Sequence, residues 1–73
     1  MTFADRIAAL RAHAPYQRAK TLCEDAETQA DVNAARATLD KAIAETDPGN
    51  DPADVRGALA DFYEMLANTE GLL

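Results

Sequence analysis

Phe3, Ile7, Leu10 and Ala14 recur at i, i+4, i+7 and i+11, a spacing that sets one apolar stripe along a helix rather than one face of a strand. The rest of the chain repeats the pattern. Tyr16, Ala19, Leu22 or Cys23, and Ala26 form a second stripe, and Val32, Ala35, Leu39 and Ile43 a third. Val55, Leu59, Phe62 and Leu66 form the cleanest of the four. Alanine is the commonest residue, while glycine and proline occur three times each, so intrinsic helix propensity is high throughout. The reading is all-α: a small bundle of three to four helices over about residues 2–14, 15–27, 29–46 and 52–69, in one domain spanning 1–73.

The boundaries follow from local chemistry. Thr2 with Asp5 reads as a loose capping box, and Pro15 ends or kinks the first helix while suiting the first turn of the next. The second and third stripes would fall roughly 160–200° apart on one straight helix. Residues 15–46 are therefore either one long helix buried on two sides or two helices. The second T-x-x-D cap, at Thr28 and Asp31, favours the break. Further on, Pro48-Gly49 is a turn dipeptide, Asp51 a good N-cap, Pro52 suits the first helical position, and Asp54 complements the positive end of the helix dipole. The last helix is expected to fray over residues 68–71.

A chain of 73 residues buries only about 60% of the surface its unfolded form exposes. Thin cores of this kind rely on good helix packing, on cross-links, on a metal or on association. One cysteine, Cys23, excludes an internal disulfide, and with one histidine it cannot complete a zinc site within one chain. The net charge of −6 argues against nonspecific nucleic-acid binding. That charge is unevenly placed. Residues 1–20 hold Arg6, Arg11, Arg18 and Lys20 against Asp5, a net of +3, whereas residues 21–73 hold twelve acids against Arg36, Lys41 and Arg56, a net of −9. No run approaches a membrane span or a signal peptide, so the expected location is the cytoplasm, without membrane contact.

The densest polar stretch, TDPGNDPADV at 46–55, invites a cation-loop reading. Counted from Asp47, however, the sixth residue is Pro52 rather than glycine and the twelfth is Ala58 rather than glutamate, so the EF-hand pattern fails at both diagnostic positions. Asp47, Asn50 and Asp51 would at best touch calcium weakly, and the turn-plus-cap reading is preferred. Glu24 and Asp25 oppose a thiolate at Cys23, which reads as a packing residue. His13 lies where it would complement the negative end of the first helix. Small size, acidity and four helices are also features of acyl carrier proteins, but those need a serine for their prosthetic arm and this chain has none. Catalytic residues, metal ligands and cofactors are accordingly not expected.

What remains is surface. Asp54, Asp61 and Glu64, with Gly57 between them, make an acidic ridge on the last helix, the candidate site for a basic protein partner. Ala30, Ala34, Ala37 and Ala44 make a second small-residue stripe on the third helix, a candidate face for a homodimer. The leading expectation is a noncatalytic protein-binding module, in its sharper form an inhibitor or nucleic-acid mimic of phage or mobile-element type. The alternative is a structural protein working by homo-oligomerisation. A helix-turn-helix reader using Arg18 and Lys20 ranks lower, because Glu24, Asp25 and Glu27 would meet phosphates.

Overall fold

Side-chain hydrogen bonds cap the starts of three helices, at Thr2, Thr28 and Asp51. In the computed structural model, which describes residues 2–49 and 51–73, five helices follow in order: α1 (Phe3–Ala12), α2 (Ala14–Glu24), α3 (Gln29–Thr46), α4 (Pro52–Ala58) and α5 (Ala60–Gly71), with no strand among the described residues. The fold is all-α, as the periodicity predicts. No helix among the described residues is long and apolar enough to cross a membrane.

Thr2 opens α1 with a full capping box. Its Oγ1 accepts from the Asp5 amide at 3.1 Å, and Asp5 Oδ2 accepts from the Thr2 amide at 3.2 Å. The chain turns at His13, which is extended (φ −69°, ψ 136°) and caps α1 and α2 at once. Pro15 lies in the first turn of α2, where its missing N–H is not needed. The side-chain amide of Gln17 donates back to the Arg11 carbonyl and closes the corner.

The choice between one helix and two over residues 15–46 falls on the break. α2 stops at Glu24, and Thr28 and Asp31 form a second reciprocal capping box at the start of α3. Asp31 Oδ2 accepts from the Glu27 amide at 3.0 Å and the Thr28 amide at 3.1 Å. Those donors, with the Thr28 hydroxyl, hold the Asp31 carboxyl below its ordinary value. α2 and α3 then pack as a helical hairpin, the most extensive helix–helix contact in the molecule. α1 and α5 each touch both members of it, and α4 leans on α5.

The core is built from the four stripes. Ile7 and Leu10 come from α1; Tyr16, Ala19 and Cys23 from α2; Val32, Ala35, Leu39 and Ala42 from α3; Val55, Leu59, Phe62 and Leu66 from the C-terminal segment. The Tyr16 and Phe62 rings meet at 5.3 Å in a tilted pair. Ile43, expected inside, is only half-buried, and Ala42 takes its place. The total exposed surface, 4440 Å², matches the about 4,400 Å² expected of a folded monomer of this mass.

The last segment departs from the expected single helix over 52–69. Leu59 leaves helical geometry (φ −107°, ψ 23°) and separates α4 from α5. The Phe62 amide donates to Leu59 O at 2.9 Å, so the Ala58 carbonyl, which a continuous helix would offer to Phe62, faces elsewhere. Arg11 takes it: Nη2 donates to Ala58 O at 3.0 Å. α5 also runs two residues past the expected end at 69, to Gly71. Glu70 is held there by Arg36 at 2.7 Å and by Gln29 at 3.2 Å, contacts that pull its carboxyl below the ordinary value, Arg36 contributing most.

Candidate functional site

The break at Leu59 divides the acidic ridge. Asp54 sits in the first turn of α4, and Asp61 and Glu64 lie on α5. All three are exposed, as is Gly57. Only two of the carboxylates are open to a partner. Asp61 forms a two-pronged pair with Arg11, Nη1 to Oδ2 at 3.1 Å and Nη2 to Oδ1 at 3.2 Å. This hydrogen bonding holds the Asp61 carboxyl below its ordinary value and pushes the Arg11 guanidinium up. The middle of the ridge thus serves the fold, clamping α1 onto the α4–α5 junction. Gly57 has nothing near where a Cβ would be, so no close packing within the chain uses its missing side chain.

Ala30, Ala34, Ala37 and Ala44 are all exposed. The α3 face that enters the core is the one bearing Val32, Ala35, Leu39 and Ala42. Of the four alanines, Ala44 has a feature the others lack: it lines a cleft.

That cleft, of about 320 Å³, opens between the C-terminal half of α3, the 47–49 turn, the start of α4 and Tyr63 of α5. Ile43, Val55 and Pro48 give it an apolar floor, and Asp40 and Asp47 are its acidic residues. The Arg56 guanidinium lies 4.5 Å from the centre of the Tyr63 ring, within cation–π range. Burial pushes the Tyr63 hydroxyl up, the Asp40 carboxylate pushes it further, and Arg56 and Arg36 partly oppose them. The small-residue stripe was legible along a single helix, and the ridge along one stretch of sequence that the structure divides between α4 and α5; this site was not. One signal points to it in hindsight: Asp40, Ala44 and Asp47 are spaced by four and three, a single helix face.

The 46–55 stretch resolves as turn and cap. Asp47 ends α3 in the left-handed region (φ 41°), Gly49 follows at φ 79°, and Asp51 caps α4 by accepting from the Ala53 amide at 2.8 Å. Arg6 reaches across from α1 and donates to Pro48 O at 3.3 Å. Asn50 lies outside the described residues. Among those described, no three His, Cys, Asp or Glu side chains gather as a metal site would require.

Two further side chains have partners that the sequence does not announce. His13 is the C-cap of α1, and its ring Nε2 lies 3.0 Å from Glu45 Oε1 near the end of α3. Cys23 is buried, as its place on the apolar stripe predicts, with Sγ 3.7 Å from Thr69 Oγ1. Arg18 and Lys20 are exposed on α2, and Glu24, Asp25 and Glu27 are exposed at its far end. Compared with protein-family models, with curated proteins and with solved structures, the chain finds no match.

Proposed function

We propose that this chain is a noncatalytic protein-binding module that recognises a basic partner through its exposed carboxylates. The observation that carries the reading is the way the fold spends its arginines. Arg6 is turned onto the Pro48 carbonyl, Arg11 onto Asp61 and Ala58, Arg36 onto Glu70, and Arg56 onto the Tyr63 ring. Asp54 and Glu64 meanwhile stay exposed with no ion pair among the described residues, and so do Asp40 and Asp47. Arg18, Lys20 and Lys41 are exposed without an ion pair among the described residues as well, so it is the overall excess of acid, a net charge of −6, that favours approach of a positively charged surface and speeds association.

In its sharper form the module is an inhibitor of the phage or mobile-element type, setting carboxylates where phosphates would lie on a nucleic-acid-binding protein. The test is capture of a partner at low salt followed by elution with rising salt. The captured protein should present a basic surface, should be lost when D54N and E64Q are combined, and in the sharper form should be displaced by duplex DNA. Retention indifferent to salt across about 0.05–0.5 M would refute the charge-based reading.

A second reading is self-assembly through the outer face of α3. The exposure of Ala30, Ala34, Ala37 and Ala44 favours it, since small side chains let a second helix approach closely. Sedimentation at rising concentration tests this, and a species that stays monomeric to about 1 mM would remove it.

A further inference from the structure

We infer that α4 is a latch: a short helix that opens by local unfolding while the rest of the bundle stays folded, and that α1 holds shut with one arginine at each end. The inference is independent of the partner-binding reading. α4 has seven residues, Pro52 to Ala58, well below the length at which a helix holds in water without tertiary packing. It includes Gly57, which weakens a helix interior and has nothing packed where a Cβ would be. Val55 is its one buried side chain, and Ala58 is half-buried. The cleft of about 320 Å³ is lined by residues of both α3 and α4, so one flank of α4 borders open space rather than the hairpin. Few buried contacts and an exposed backbone mark a segment that opens by itself.

Both ends of α4 are joints. Asp47 (φ 41°) and Gly49 (φ 79°) bend the chain ahead of it, and Leu59 (φ −107°, ψ 23°) leaves helical geometry behind it. At each joint a guanidinium from α1 holds a backbone carbonyl. Arg6 Nη1 donates to Pro48 O at 3.3 Å, and Arg11 Nη2 donates to Ala58 O at 3.0 Å. α1 packs on α2 and α3 while α4 packs on α5, so α1 and α4 meet chiefly through these two arginines. Opening takes Val55 out of the core, lifts Arg56 off the Tyr63 ring and breaks both arginine bonds. The α2–α3 hairpin and the capping boxes at Thr2 and Thr28 survive it, because none of their hydrogen bonds involves α4.

The test is amide hydrogen exchange of the native chain, read by nuclear magnetic resonance at low, increasing urea. The amides of Val55 and Leu59, which bond to Asp51 O and Val55 O, should exchange at least about ten-fold faster than the slowest amides of the α2–α3 hairpin. Their rates should depend little on urea, since local opening exposes little surface. Arg6→Met and Arg11→Met should each speed exchange at Val55 and Leu59 about three- to ten-fold, and Arg6→Met carries the test by itself if Arg11→Met does not keep a native spectrum. Thr28→Ala is the control, because its cap is intact in the open form. It should speed the slowest hairpin amides about five-fold and leave Val55 and Leu59 unchanged. Exchange at Val55 and Leu59 that matches those hairpin amides in rate and urea dependence, or that rises with them in Thr28→Ala, would overturn the latch. Fast exchange in α4 that neither arginine variant alters would overturn it too, since α1 would then hold nothing shut.

Discussion

Replacing Arg11 with methionine keeps most of the aliphatic stem and removes the guanidinium that joins α1 to the α4–α5 junction. Two losses follow. The pair with Asp61 is largely exposed, with the two side chains 39% and 66% accessible, so solvent screening limits it to about 0.5 kcal/mol. The bond to Ala58 O is charge-assisted and half-buried, and leaves a helix-end carbonyl without its donor, for about another 1–1.5 kcal/mol. The sum, about 1.5–2 kcal/mol, should lower Tm by roughly 6–15 °C in a chain of this size.

The same substitution carries a pH signature. Asp61 has its carboxyl depressed in the folded state, so the stability it contributes is present above the unfolded carboxylate value of about 3.9 and is lost as pH falls through the folded one. The gap between the native chain and R11M, measured by thermal circular dichroism, should be full at pH 7 and narrow below about pH 4 as the Asp61 contribution fades. The Ala58 bond persists there, so the gap should narrow rather than close. Combining R11M with D61N in a double-mutant cycle should return a coupling of about 0.5 kcal/mol. Equal stability of R11M and the native chain, or a gap unchanged down to pH 2, would refute the clamp.

Gly57→Ala should stabilise the chain by about 0.5–1 kcal/mol, because the position is helical with open space around it, and a rise in Tm checks it. Gly49→Ala should destabilise by about 1–2 kcal/mol, since the position needs φ +79° and a Cβ would collide with the Arg6 guanidinium; chemical denaturation reads this directly. Thr28→Ala should cost about 1 kcal/mol by removing the α3 cap, and hydrogen exchange should show the loss first at the amides of the first turn of α3.

What could be read along the chain was what neighbouring residues decide. Thr2 with Asp5 and Thr28 with Asp31 cap their helices in the predicted way because each box closes over three residues. Val55, Leu59, Phe62 and Leu66 all reach the core, even though the helix carrying them breaks in their midst. That break was hidden because Leu59 is a good helix former in the middle of a clean stripe; Gly57 was the only local sign of weakness. What stabilises the break is Arg11, about fifty residues earlier in the chain, and periodicity carries no record of such a partner. The same holds for Asp61, whose place on a helix face gives no hint that a guanidinium already covers it. The cleft needed three helices and a turn to be brought together before it existed, and His13 needed Glu45 from the end of α3.

The interior, apart from the Tyr16 ring and the Cys23 thiol, is hydrocarbon, and no polar or charged residue among those described is buried in it. Aliphatic side chains of similar volume are interchangeable there at modest cost, so nothing inside fixes which turn of one helix faces which turn of the next. That information sits at the segment ends, in Thr2, Thr28, Asp51, Arg6, Arg11 and Arg36. Reshuffling the inner leucines and valines should leave the topology readable in a spectrum, while a few neutral replacements at those ends should turn the same oily mass into a fluctuating one.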